Sequence, residues 1–333
     1  MFQRKKFNLF LGLIFLSTIS LMVSLYSQEN APTSPTISST PDTNTSDLAP
    51  GVPTKSDISE NAPPKFRIGV VLNDSYVGGS STKSGSNDHG SLSEQLFRFE
   101  CRSSIPVSDD LSVLLSAGYN RFDFSSLDAT SATPQNLEIE KASVGLSYRI
   151  SPQWETFGMI TPSIGEVNGW GRSYFLLSGA AGANWKVNPD LSFTFGLAVN
   201  PEGVSDLPVI PLIGAHWHFE DQWTLNVGLP RTSIEYALTK ELHFWAGPSF
   251  EGGSFKTGSS YGNAFGRPDL NDQKLEYREI RVALGTDYKI TPAIGISAEL
   301  GSAVYRDFYF RNVGYSPHSD PALYGQLGVK IGL

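Results

Sequence analysis

The sequence predicts an all-β fold: an antiparallel, up-and-down β-barrel of about 14 strands, with about 12 as the fallback, behind an export signal and a linker. Three observations carry this. Strand-length segments alternate apolar and polar residues from Phe66 to the C-terminal octet. Short and long connections alternate between them, and tryptophans gather beside the short ones.

The octet Gln326-Leu327-Gly328-Val329-Lys330-Ile331-Gly332-Leu333 shows the pattern most cleanly. Leu327, Val329, Ile331 and Leu333 share one face, and Gln326, Gly328, Lys330 and Gly332 share the other. One apolar face and one small or polar face suit the closing strand of a transmembrane barrel. The octet resembles the C-terminal sorting signal of bacterial outer-membrane barrels, through Gln326, Gly328, Ile331 and Leu333, with Leu333 standing where that signal usually ends in an aromatic. The resemblance implies recognition by the barrel-assembly machinery through this strand.

At the other end, Arg4, Lys5 and Lys6 precede an apolar run from Phe7 to Val23, with small and polar residues around Ser24 and Ser27. Residues 1–27 therefore read as a signal peptide. A permanent anchor helix is the alternative, but the run is short and broken by Asn8, Gly12, Ser17, Thr18 and Ser20. Residues 28–65 hold Pro32, Pro35, Pro41, Pro50, Pro53, Pro63 and Pro64, and no aromatic residue from Asn30 onward. Such a segment buries too little apolar surface to offset its ordering entropy and is expected to be a disordered linker. Residues 66–333 are left for the barrel.

Bulk composition excludes several classes. Loss of Arg4, Lys5 and Lys6 with the leader takes the basic residues from 25 to 22 against 33 acidic, a net charge of −11. That balance argues against nucleic-acid binding. The single Cys101 excludes an intramolecular disulfide and a multi-cysteine zinc site. No apolar run past the signal approaches the length of a membrane helix.

The strand readings follow one rule. Phe66, Ile68, Val70 and Leu72 alternate with Arg67, Gly69 and Asn73; Phe97, Phe99 and Cys101 with Arg98, Glu100 and Arg102; Ala142, Val144, Leu146 and Tyr148 with Lys141, Ser143, Gly145, Ser147 and Arg149. Leu191, Phe193, Phe195 and Leu197, then Trp223, Leu225 and Val227, then Ile280, Val282 and Leu284 repeat the pattern. Short turns are expected at 108–110, 151–153, 188–190, 220–222, 239–241 and 291–292, and longer loops at 79–90, 125–136, 165–172, 202–207, 257–272 and 311–321. In an outer-membrane barrel the short turns face the periplasm and the long loops face outside. The count of 14 takes Pro230-Arg231-Thr232 as an unusually tight outer loop. Tyr148, Trp154, Trp185, Trp217, Phe219, Trp223, Phe244 and Tyr288 sit near short turns and read as an interfacial aromatic girdle. Pro162, Pro211 and Pro248 fall in or near strands, where a closed barrel has no edge for a missing N–H. Bulges near strand ends would accommodate the first two; Pro248 has no evident place.

The stretch Trp223 to Phe255, WTLNVGLPRTSIEYALTKELHFWAGPSFEGGSF, has Gly-Leu-Pro after a strand and Tyr-x-Leu before the next turn. Through it, the region from Phe66 to Leu333 resembles an uncharacterised bacterial family of outer-membrane barrels, a domain of unknown function. That resemblance implies the fold and the membrane and carries no catalytic residue.

Candidate chemistry is sparse. His216 and His218 share a strand face and could begin a metal site, yet no third ligand follows from spacing, and polar lumen residues are the plainer reading. His89, His243 and His318 fall in loops or after a turn. No nucleophile-elbow motif accompanies the serines, so no enzyme activity, cofactor or metal is expected. Alternation points Arg98, Glu100, Arg102, Lys141, Arg149, Glu279, Arg281, Asp287, Lys289, Glu299 and Lys330 into the lumen. Such charges line a watery path or lock into ion pairs that fill it. A lumen of about 14 strands exceeds what side chains readily fill, which favours a narrow aqueous pore. The 257–272 loop, with Tyr261, Phe265, Arg267, Asp269 and Asp272, either folds inward as a constriction or, the more usual case, caps the surface. The expected function is therefore an outer-membrane barrel in contact with lipid, passing small polar solutes by diffusion. The alternatives are a closed-lumen structural or surface-interaction barrel, an outer-membrane lipid hydrolase and a soluble β-sandwich.

Overall fold

The computed structural model describes residues 67–85, 87–126, 132–168, 173–200 and 208–332. The signal peptide, the linker, Phe66 and Leu333 lie outside the described residues, as do 127–131, 169–172 and 201–207 of the outer loops.

Fourteen antiparallel strands follow one another around a single closed sheet. They are β1 (Arg67–Ser84), β2 (Asn87–Pro106), β3 (Leu111–Ser126), β4 (Asn136–Ser151), β5 (Trp154–Val167), β6 (Tyr174–Asn188), β7 (Leu191–Val199), β8 (Val209–Glu220), β9 (Trp223–Val227), β10 (Ser233–Ala237), β11 (Leu242–Lys256), β12 (Lys274–Thr291) and β13 (Ile294–Phe310). The last, β14, begins as His318–Ser319, breaks at Asp320-Pro321 and resumes as Ala322–Gly332. Each strand pairs with the next, and β14 returns to β1 from Gly69↔Gly332 to Val77↔Tyr324, which leaves the sheet no outer edge there.

Polarity across this wall is inverted relative to a water-soluble protein. Leu300 and Leu323 are 74% and 79% exposed, whereas Glu279 and Arg306 on the inner face are almost wholly buried. A soluble sandwich would meet its apolar faces in the middle; here they form a continuous outer belt, as hydrocarbon contact demands. At its lower rim, Trp154 stacks on Trp185 at 5.8 Å, Trp217 lies 5.3 Å from Phe219, and Trp223 lies 4.8 Å from Tyr236.

The expected loop at 79–90 is instead a hairpin extension. β1 and β2 run on to a tight turn at Gly85, whose φ of +66° favours glycine. Above the hydrocarbon the outward face meets water, so apolar alternation ends while the ladder continues. Polar cross-strand contacts hold it: Thr82 to Ser319 at 2.9 Å and Lys83 to Asp320 at 2.7 Å.

The three strand prolines find separate solutions. Pro162 sits where the β4–β5 ladder skips from Lys141↔Ser163 to Val144↔Ile160. Pro211 lies on the outer half of β8, above the first β8–β9 pair, Ala215↔Val227. Pro248 lies on β11 beyond the last β10–β11 pair, Ile234↔Ala246, and its carbonyl accepts from Thr232 N at 3.0 Å. The β9–β10 hairpin is too short to reach the outer rim, so β8 has a local edge there, which Pro211 occupies, whereas Pro248 lies between β12 and the hairpin tip.

Candidate functional site: a filled lumen

Above that short hairpin β11 turns inward, while its ladder with β12 runs on to Lys256↔Lys274. Gly252 has φ of +142°, and a Cβ there would lie 2.1 Å from the Tyr277 carbonyl, so only glycine suits this bend. The outer half of β11 then crosses the interior to β4 and β5. A Cβ on Gly165 of β5 would lie 2.8 Å from Ser254 O, so glycine permits this close approach too. The crossing strand supplies the bulk that lumen side chains alone would not. Among the described residues, side chains pack the interior where strand number alone suggested an aqueous path.

Three layers fill it. In the middle, Arg281 donates to Glu94 at 3.1 Å and to Ser75 at 3.1 Å, contacts Glu279, and lies over the Tyr324 ring at 4.7 Å. Arg306 stands 3.9 Å from both Glu94 and Glu279, and Tyr277 donates to Glu279 at 2.7 Å. Arg98 of β2 contacts Glu251 of β11 across the lumen. Glutamates and arginines from β2, β11, β12 and β13 thus neutralise one another where water is excluded, the condition under which buried ions are tolerated. A cavity of about 20 Å³ beside Pro230, Arg231, Phe250, Glu251, Arg281 and Glu299 has room for roughly one water.

The outer layer is apolar. Phe122, Phe124, Tyr277 and Phe308 pack edge to face with centroids 5.0–5.2 Å apart, beside buried Leu137, Phe255 and Leu275. The 257–272 loop caps this layer and also reaches into it. Its turns Gly262–Phe265 and Pro268–Leu270 carry Tyr261 and Leu270 inward, and Tyr261 donates to Ala132 O at 2.9 Å. Burial pushes the Tyr261 phenol well above its ordinary range. Arg267 and Asp269, paired at 2.6 Å, stay on the surface, where the guanidinium holds the Asp269 carboxyl below its usual range. The layer at the short-turn end is polar: His216 Nδ1 meets Asn226 Oδ1 at 2.5 Å, and Asn226 donates to Glu235 at 2.8 Å.

The residues read as lumen-lining occupy distinct environments. Arg98, Glu100, Glu279, Arg281 and Glu299 are buried in or beside the middle network. Arg102 donates to Glu100 at 2.7 Å, and Lys330 to Asp287 at 2.6 Å nearer the short-turn end. Lys141, Arg149 and Lys289 are half-buried, with the Lys141 stem close against Gly118. Of the girdle residues, Tyr148, Trp154, Trp185, Trp217, Phe219, Phe244 and Tyr288 are exposed, and Trp223 is half-buried. Gln326 is buried toward the lumen, Gly328 lies against Asn73 and Ser297, and Ile331 is half-buried. His218 meets Thr224 at 3.1 Å, and His243 faces Lys240 O at 3.4 Å.

Sequence reasoning missed Glu94, Glu251 and Arg306. Glu94 has the parity of Arg98 and could have been found by extending that strand upstream. Arg306 could not. The β12–β13 ladder steps from Ile280↔Tyr305 to Arg281↔Ala303, and this bulge shifts the parity that places Glu299 inward.

Residues 67–318 match DUF6268, a domain of unknown function. No curated protein matches the chain. Among solved structures, the COG4313 outer membrane channel from Pseudomonas putida F1 is similar over 83% of this chain and 99% of its own, at 9% identity and a TM-score of 0.44. A Pseudomonas aeruginosa FadL homologue is similar over 80% and 89%, at 11% identity and 0.38. The TodX monoaromatic hydrocarbon channel deltaS2 mutant is similar over 82% and 91%, at 9% identity and 0.45.

Proposed function

We propose that this chain, which belongs to the DUF6268 family, resides in the bacterial outer membrane as a barrel with a closed lumen, acting through its outer loops and its lipid-facing wall. It is an outer-membrane β-barrel. The observation behind the closed-lumen reading is the Arg98–Glu251 contact that ties crossing β11 to β2, within a network of buried charges. A polar solute on the axis would have to displace β11 and separate ions in a low-dielectric interior. Protein refolded into planar bilayers, its barrel verified by a heat-dependent shift on SDS gels, is expected to stay silent. Stepwise ohmic conductance of the unmodified protein would overturn the reading.

The second reading is a passive channel for small polar solutes, favoured by the interleaved signs of the lumen charges. It requires β11 to swing aside. Conductance in Arg98→Ala and Glu251→Gln variants, with a silent parent, would support a channel closed at rest.

We also read the barrel as non-enzymatic. In support, the imidazoles of His216, His218 and His243 meet Asn226, Thr224 and the Lys240 carbonyl, and the chain carries no nucleophile-elbow motif. Purified protein should release no fatty acid from phospholipid or lipid A. Recognition by the assembly machinery through Gln326, Gly328, Ile331 and Leu333 belongs to the same proposal, supported by the period-2 pattern of β14; a chain lacking these residues should fail to reach the outer membrane.

A further inference from the structure

In the outer half of the barrel β8 and β11 face one another with no ladder between them among the described residues. The β8–β9 pairs begin only at Ala215↔Val227, so 209–214 of β8 have a partner on the β7 side alone. By the alternation of β11, Phe250 lies on the face that carries the outward Phe244. Yet Phe250 packs in one cluster with Ile210 and Leu212, which point inward from β8, and with Leu229 of the hairpin tip. An outward face meeting an inward face means that the strands overlap like the edges of a rolled sheet. Between β8 and β11 the seam is a contact of side chains, while the hairpin tip stays bonded to β11 through the Arg231↔Ser249 bridge and Phe250 N to Pro230 O at 2.9 Å; the cluster comprises Phe157, Ala180, Ala198, Ile210, Leu212, Leu229 and Phe250.

We propose that this seam seats an acyl chain of a membrane lipid. Its mouth is continuous with the lipid-facing wall, flanked by Leu197, Val199, Val209 and Ile213, which are all exposed on the outer surface. Inner faces elsewhere at mid-barrel carry the buried ions and one further apolar cluster, Val77, Trp245, Ala283, Ala303, Ala322 and Tyr324 on β1 and β11–β14; the apolar lining of β5–β8 is the one beside the unpaired stretch of β8. Ala180, Ala198 and Phe250 are only partly buried, although they line an interior interface. Inward, the slot ends against β11, held by Glu251 on Arg98 and by Ser254 on Gly165. An acyl chain lodges there without reaching the lumen. It arrives from hydrocarbon, so no hydrophobic transfer drives it; better contact with the slot walls does.

The full chain, reconstituted into vesicles containing a phospholipid with a diazirine near the end of one acyl chain, is irradiated, digested and mapped by mass spectrometry. Adducts are expected at Ile210, Leu212, Leu229 or Phe250 in addition to outward Leu300 and Leu323. Ala198→Phe fills the slot and should lower the seam adducts at least tenfold while those at Leu323 persist; a heat-dependent gel shift verifies that this variant is folded. Ala180→Leu repeats the test at a second wall. Adducts confined to outward residues in the parent would overturn the proposal. So would seam labelling by a free diazirine fatty acid added from water but not by the phospholipid. Conductance plays no part in the readout, so the closed-lumen reading stands or falls separately.

Discussion

Substituting Arg98 with Met removes the guanidinium that Glu251 contacts across the lumen. Both side chains are nearly inaccessible, at 1% and 6% exposure. At an effective dielectric constant of about 20, unit charges about 4 Å apart attract by about 4 kcal/mol. Removing one partner of such a buried pair costs about 3–5 kcal/mol, because the remaining charge stays in a medium that solvates it poorly. Arg98→Met and Glu251→Met should each lose about that much. The double variant exchanges two ions for apolar side chains of similar length and should lose far less than the sum, giving a coupling of about 2–3 kcal/mol. Urea unfolding of the refolded barrel in lipid vesicles, followed by tryptophan emission, yields all four corners of the cycle. Coupling below about 0.5 kcal/mol would mean that the contact does not hold β11 in place, and the account of the closed lumen would lose its main support.

Gly165→Val places a Cβ 2.8 Å from Ser254 O and should destabilise the barrel by about 1–3 kcal/mol, with faster deuterium uptake along the outer half of β11 as the specific mark. Leu270→Ala empties a fully buried site under the cap; about 2–5 kcal/mol of local loss should appear as faster protease cleavage within 257–272. Arg121, about half exposed beside Asp123, provides the contrast: Arg121→Ala should cost under about 1 kcal/mol in the same unfolding assay. The raised Tyr261 phenol makes the cap sensitive to alkali. Because the folded pKa lies above the unfolded one, its contribution is complete below about pH 10 and declines as pH rises beyond that. Deuterium uptake in the 257–272 loop, corrected for the intrinsic rate, should rise above that pH in the parent and show no such added rise in Tyr261→Phe.

Strand pattern was legible because it is local. Alternate residues of a strand face opposite sides whatever it pairs with, so Leu284, Leu300 and Leu327 could be assigned to one face and Arg98, Glu279 and Arg281 to the other from neighbouring residues alone. Turn residues such as Asn188-Pro189-Asp190 marked where one strand gives way to the next in the same way. The count of 14 depended on reading Pro230-Arg231-Thr232 as a real connection, and the register of β9 with β10 places it there.

Whether the interior is open or filled depends on contacts between distant parts of the chain. Arg98 and Glu251 are 153 residues apart, and Glu94 and Arg281 are 187 apart. No periodicity relates them, and nothing local to β11 shows that its outer half will cross the barrel. The place of Pro211 was hidden for the same reason, since an edge exists only relative to the strand that fails to cover it. Residue order determined the strands and the polarity of their two faces, because backbone alternation is a near-neighbour property. Tertiary structure alone decided what occupies the lumen and where the wall overlaps, because both arise from strands that meet only after the sheet has closed.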